Sequence, residues 1–153
     1  DSLMMLAHSM RYAMMAPQED GLVELYKEVE QIDRLIRINQ VISGERIAVI
    51  NQIGEECFAM KKRIPPMLLL TFVENVFKRG NLFDAPAKIS LNANDNGLHL
   101  RTENLRANRR VFASEHIGID NAKARLKKYY NNNFVLEQHD NGSTFILDLK
   151  LNL

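Results

Sequence analysis

The chain predicts an α+β fold: a two-layer α/β sandwich in which helices cover one face of a mixed, mostly antiparallel sheet, preceded by a helical hairpin. Three observations lead there. Two segments near the start repeat apolar residues at helical spacing. Two Asn-Gly turns sit between runs of alternating apolar residues, which is the strongest short-range signal for a β-hairpin. Those runs show a single apolar face, as expected of an antiparallel sheet covered on one side.

The elements follow in order. Leu3, Leu6, Ala7, Met10 and Met14 form the first helical stripe, which Pro17 ends, and five of the seven methionines lie in its first fifteen residues. Leu22, Leu25, Val29, Ile32 and Ile36 form a heptad-like seam flanked by Glu24, Lys27, Glu28 and Arg34, stopped by Ser43-Gly44. This pair of helices either packs on its own domain or contributes to an intersubunit bundle, for which a methionine-rich surface is suited. Ile47, Val49 and Ile53 then lie on one side of a strand. After Ile64-Pro65-Pro66 comes a helix that Pro66 is expected to open and Gly80 to close. Ile89, Leu91 and Ala93 lead into NDNG and return through Leu98 and Leu100. A polar stretch and a helix from about Gly118 to Tyr130, with Ile119, Ala122 and Leu126 inward, precede the second hairpin. That hairpin runs from Phe134 and Leu136 through HDNG to Phe145, Leu147, Leu149 and Leu151.

Composition narrows the function classes. At 153 residues, with 46% hydrophobic and 25% charged residues, the chain suits one soluble domain with a small appendage. The net charge of +1, from 20 basic and 19 acidic residues, points to neither nucleic acid nor membrane. Cys57, the single cysteine, excludes an internal disulfide and suits a packed thiol in a reducing compartment. No apolar run approaches the roughly 20 residues of a membrane span, and no signal peptide opens the chain. The start, DSLMMLAHSM, lacks an initiator Met and falls mid-pattern, so a fragment of something longer is expected. Walker and G-x-G-x-x-G loops are absent, and His8, His99, His116 and His139 lack metal-ligand spacing.

The candidate chemistry lies in TFVENVFKRG, residues 71–80. Leu69, Phe72, Val73, Val76 and Phe77 make an apolar stripe, yet Glu74, Asn75, Lys78 and Arg79 interrupt it. Asn is disfavoured inside a helix because its amide competes for backbone hydrogen bonds. Glu74 and Lys78 are four apart, as are Asn75 and Arg79, which is also the spacing of ordinary surface pairs. As chemistry the set is coherent: an Asn amide oxygen suits magnesium, Glu can orient water, and Lys and Arg can neutralise phosphate.

These residues also carry a resemblance. LAHSMRY, VELYKEVEQIDRLI, RIPPMLLLTFVENVFKRG and IGIDNAKARLKKYY occur in the order of the dimerisation hairpin, following helix, N-box and glycine box of LytS-like sensor histidine kinases. That branch carries the GHKL (Bergerat) ATP-binding fold. The resemblance implies a helical segment over 1–43 and an ATP-binding catalytic domain over 44–153. It implies that Asn75 coordinates the magnesium of Mg-ATP, that Glu74 supports a water or the ligand shell, and that Lys78 and Arg79 face the phosphates. Asn104 would read adenine, and Gly118 and Ile119 would sit where backbone amides meet phosphate at a helix N-terminus. Residues 105–117 would form a mobile ATP lid whose Arg106, Arg109 and Arg110 are candidate phosphate clamps.

The implied partners are an upstream phosphoacceptor histidine, a response regulator and a second copy in the full-length protein, in the cytoplasmic region of an inner-membrane sensor. The chain departs from the pattern in places. Arg79 stands for the usual His, His116 for the first glycine of a G-x-G element, and Ile119 for Leu. Asp120 adds negative charge beside an anion site, and Ile42-Ser43 replace an Arg-aromatic pair. No Asn-Pro-His-Phe element is present, and His8 lies in the wrong motif, so this piece is not expected to phosphorylate itself. The alternative is a degenerate GHKL signalling module that works by dimerisation or docking. A nucleic-acid binder is disfavoured, because clustered basic residues and stacking aromatics are missing.

Overall fold

The computed structural model describes residues 21–108 and 117–153; the first predicted helix, Arg109, Arg110 and His116 lie outside them. The elements in order are β1 (Val23–Glu24), α1 (Leu25–Ile42), β2 (Val49–Ile53), α2 (Glu56–Ala59), β3 (Arg63–Ile64) and α3 (Leu68–Arg79). They continue with β4 (Ala87–Asn94), β5 (Gly97–Leu105), α4 (Ile117–Tyr130), β6 (Phe134–Asp140) and β7 (Thr144–Asn152). The main sheet has the order β2-β4-β5-β7-β6, with β2 parallel to β4 and the other pairs antiparallel. This is the α+β arrangement the patterning predicts. Helices α1, α3 and α4 bury their stripes in one core with the inward residues Ile89, Leu91, Leu100, Leu147 and Leu149. No helix of the described residues is long and apolar enough to cross a membrane.

The helical seam is confirmed and its edges corrected. Leu25, Val29, Ile32 and Ile36 are buried as the spacing requires, joined by Leu35. Leu22, however, precedes the helix, because Val23 and Glu24 pair with Ile64 and Arg63 as a short ladder. Glu28 is not a solvated flank: it is fully buried. Its carboxylate accepts the backbone N–H groups of Met67 at 2.5 Å and of Leu69 and Leu70 at 3.1 Å. Those are the orphan donors at the start of α3. Pro66 therefore does not open that helix. It lies in the turn before it, and Met67, at φ 60°, leads into Leu68.

The hairpins form where expected, but one glycine serves another purpose. In the first, Asn94 pairs with Gly97, so the loop is Asp95-Asn96 and the glycine belongs to the strand. Asn94 Oδ1 accepts the N–H groups of Asn96 at 2.9 Å and Gly97 at 3.0 Å. A Cβ on Gly97 would collide with the Leu151 carbonyl of β7. Close approach of strands, not turn geometry, demands that glycine. In the second hairpin Gly142 does adopt φ 89°.

Candidate functional site

Helix α3 presents its polar residues beside an open end of the molecule. Asn75 is 6% exposed and lies one turn beyond Thr71. Lys78 pairs with Glu74 at 3.1 Å, with side chains 59% and 28% exposed. Pairs so exposed contribute roughly 0.2–1 kcal/mol, so Lys78 can exchange its partner at little cost. Arg79 is half-buried, and its carbonyl accepts the Ala107 N–H at 2.8 Å, tying the end of α3 to the segment after β5.

The end of strand β5 runs beside the end of α3, where the Leu105 carbonyl accepts the Asn81 N–H at 2.8 Å. Its inward positions run Leu98, Leu100, Thr102, Asn104, all buried, so the face changes from apolar to polar toward the end of α3. Asn104 is 2% exposed. Its Nδ2 donates to the Leu105 carbonyl at 2.8 Å, while Oδ1 is buried with no partner among the described residues. An unmatched buried acceptor costs about 1–3 kcal/mol, and in native proteins such atoms call for a reason. The neighbouring Gly80 is forced by crowding: a Cβ there would strike the Val76 carbonyl and the Leu82 methyl, and lie 3.1 Å from Asn104 Nδ2. At the end of α3 opens a cleft of about 430 Å³ lined by Phe77, Lys78, Gly80, Asn81, Phe83, Ala107 and Asn108. Thus Lys78 lines the cleft itself, Asn104 lies directly behind Gly80, and Asn75 stands one turn back along α3.

Helix α4 approaches from the side. A Cβ on Gly118 would meet only Thr71 Cγ2, at 3.6 Å, which sets the first turn of α4 against the polar face of α3. Gly118 is exposed, and Asp120 lies exposed in the same turn. The Ile119 side chain instead belongs to the core, 6% exposed, leaving only its backbone for a ligand. Arg125 donates both guanidinium NH₂ groups to the Pro66 carbonyl, fixing α4 across the start of α3. Arg106, the one candidate clamp that is described, is held by Asp140 at 2.9 Å, at the end of β6. An arginine so engaged is turned toward the second hairpin.

The donor set suits a nucleotide. The orphan Asn104 Oδ1 wants an N–H donor, the cleft carries a cation and two phenylalanines, and Asn75 brings an amide oxygen one turn back along α3. Among the described residues no cluster of His, Cys, Asp and Glu could hold a metal by itself. Magnesium brought on a polyphosphate needs few protein ligands and keeps several waters, so one amide oxygen is compatible with it. Sequence reasoning missed Glu28 and Arg125, which hold α3 in place. It also missed the cleft phenylalanines, because Phe77 reads as core and Phe83 as loop. Away from the cleft, His99 Nε2 at 2.7 Å and Arg101 Nη1 at 2.8 Å contact Asp148 on the uncovered sheet face, a structural cluster.

No protein-family profile and no curated protein matches this chain. Solved structures do. The Acinetobacter baumannii histidine kinase AdeS superposes with a TM-score of 0.59 at 12% identity, over 99% of this chain and 78% of that one. Two nucleotide-free crystal forms of the catalytic domain of histidine kinase ThkA give TM-scores of 0.57 and 0.58 at 9% identity, over 86% of this chain and 93% and 94% of theirs. At these identities the likeness is one of fold: the chain has the α+β fold of histidine kinase catalytic domains.

Proposed function

We propose that the chain is the ATP-binding catalytic region of a two-component sensor histidine kinase of the LytS-like branch. In this reading residues 44–153 bind Mg-ATP, and residues 1–43 are the end of the dimerisation region and its linker helix. The γ-phosphoryl leaves ADP for an imidazole nitrogen of a histidine on an upstream segment, and passes from there to an aspartate of a response regulator. The full-length protein is a homodimer, and this region lies on the cytoplasmic side of an inner membrane.

The observation that carries the reading is the buried Oδ1 of Asn104, unmatched among the described residues, on a side chain whose Nδ2 lies behind Gly80 of the cleft lining. It is set to accept from the exocyclic amine of adenine. Lys78 exchanges Glu74 for phosphate oxygens, and Gly118 leaves room for phosphate to reach the first backbone N–H groups of α4, where the helix dipole favours anions. Magnesium, when bound, offsets the negative charge of the phosphates. Asn75 would donate its amide oxygen to that ion, and Glu74 would orient a water of its shell.

Calorimetry with magnesium and a non-hydrolysable ATP analogue tests this. The chain binds the analogue in a magnesium-dependent way. Asn75→Asp weakens the binding, and urea unfolding reads its stability cost separately, because a carboxylate at this 6% exposed position is desolvated. A folded chain that releases no heat, or binding untouched by Asn75→Ala, selects the alternative of a non-catalytic docking module.

A further inference from the structure

Helix α3 has no cap of its own. Its N-cap residue Met67 makes no side-chain cap, and the prolines before it donate nothing. The missing acceptor comes from a distant part of the chain, Glu28 of α1, which sits fully buried within an otherwise apolar seam. A buried carboxylate is costly unless its oxygens are hydrogen-bonded, and a leucine there would complete the seam at no such cost. The two oxygens accept from Met67, Leu69 and Leu70, at a helix end whose dipole favours negative charge. One residue earlier, the Pro66 carbonyl receives Arg125 of α4. The segment Pro66–Leu70 is therefore a junction of three helices. Of the three, α3 lines the cleft with Phe77 and Lys78, and α1 contributes no residue to it.

We infer that Glu28 is a positioning residue for the nucleotide site: it fixes the axial placement of α3, and hence of Asn75, and makes the position of α1 felt at the cleft. The inference rests on the nucleotide-binding reading. Asn75 lies about two helical turns from the capped end, so a shift of α1 carries the amide with it. Coupling of this kind is reciprocal, so nucleotide must also tighten the junction.

The test uses amide hydrogen exchange on the 153-residue chain, with and without saturating magnesium and a non-hydrolysable ATP analogue. Exchange at Met67, Leu69 and Leu70 slows at least about threefold when the analogue binds. Glu28→Gln keeps the shape and one acceptor oxygen, and weakens analogue binding roughly tenfold while unfolding remains a single transition, because misplacement of a site group is felt in binding. Unchanged exchange at the three amides in a wild-type chain that binds the analogue overturns the inference, whether or not the variant folds. A folded Glu28→Gln chain that binds as tightly as wild type also overturns it. If the wild-type chain binds nothing, the nucleotide reading itself has failed and this inference falls with it.

Discussion

Replacing Asn104 with Leu should cost the isolated chain little or no stability while impairing its ligand site. Leucine shares asparagine's branching but is larger, so at this 2% exposed position it leaves no cavity and must be accommodated against Gly80, which has no side chain. The substitution removes the unmatched Oδ1, recovering about 1–3 kcal/mol. It also removes the hydrogen bond from Nδ2 to the Leu105 carbonyl, a loss of about 0.5–1.5 kcal/mol. That carbonyl stays satisfied, because it also accepts the Asn81 N–H at 2.8 Å, so no new orphan appears. The difference is centred on a gain of about 1 kcal/mol and runs from a loss of about 0.5 to a gain of about 2.5 kcal/mol. The same bond to Leu105 fixes the amide orientation, since a carbonyl can only accept. Binding of an adenine nucleotide should fall by about 1–3 kcal/mol, roughly 5- to 150-fold, because the donor on the base is left unpaired. Urea unfolding without ligand and calorimetry with the ATP analogue read the two effects separately. A loss of about 2 kcal/mol or more of stability with unchanged affinity would refute the reasoning and make Asn104 a structural residue.

Other outcomes follow from single contacts. Burial opposes ionisation of Asp148, yet the hydrogen bonds from Arg101 and His99 outweigh it and hold the carboxyl below its usual range. Its contribution is thus present above the unfolded carboxylate pKa of about 3.9 and lost as pH falls through the lower folded value. Asp148→Asn should be less stable than wild type near neutrality, and the gap should close on acidification in thermal melts; a gap that is constant with pH would contradict this. Gly97→Ala should lose about 1–3 kcal/mol in urea titration by overpacking against the Leu151 carbonyl, and a neutral result would show that β5 and β7 can part freely. Burial first, then Glu56, raises the Cys57 thiol to about 11. A thiol reagent at pH 7 should therefore label Cys57 at the rate of unfolding, and immediate labelling would place it at the surface.

Periodicity alone located most of the architecture. The stripes of α1, α3 and α4 and the alternation in β4, β5 and β7 are local patterns, because each helix or strand must turn one face to the core. The interruption of the α3 stripe by Glu74, Asn75, Lys78 and Arg79 was legible for the same reason. What spacing could not reveal were the pairings between residues far apart in the chain. Glu28 lies in a seam where an acidic residue reads as a solvated flank, and only its meeting with Met67, Leu69 and Leu70 turns it into a cap. Gly97 reads as a turn glycine until β7 is laid against it. Spacing alone says nothing of Asn104, which only the resemblance singled out, until the fold buries its Oδ1 without a partner among the described residues. Local propensity is written in neighbouring residues, whereas desolvation and close approach exist only once distant segments exclude water together, so the fold and not the pattern made these three groups specific.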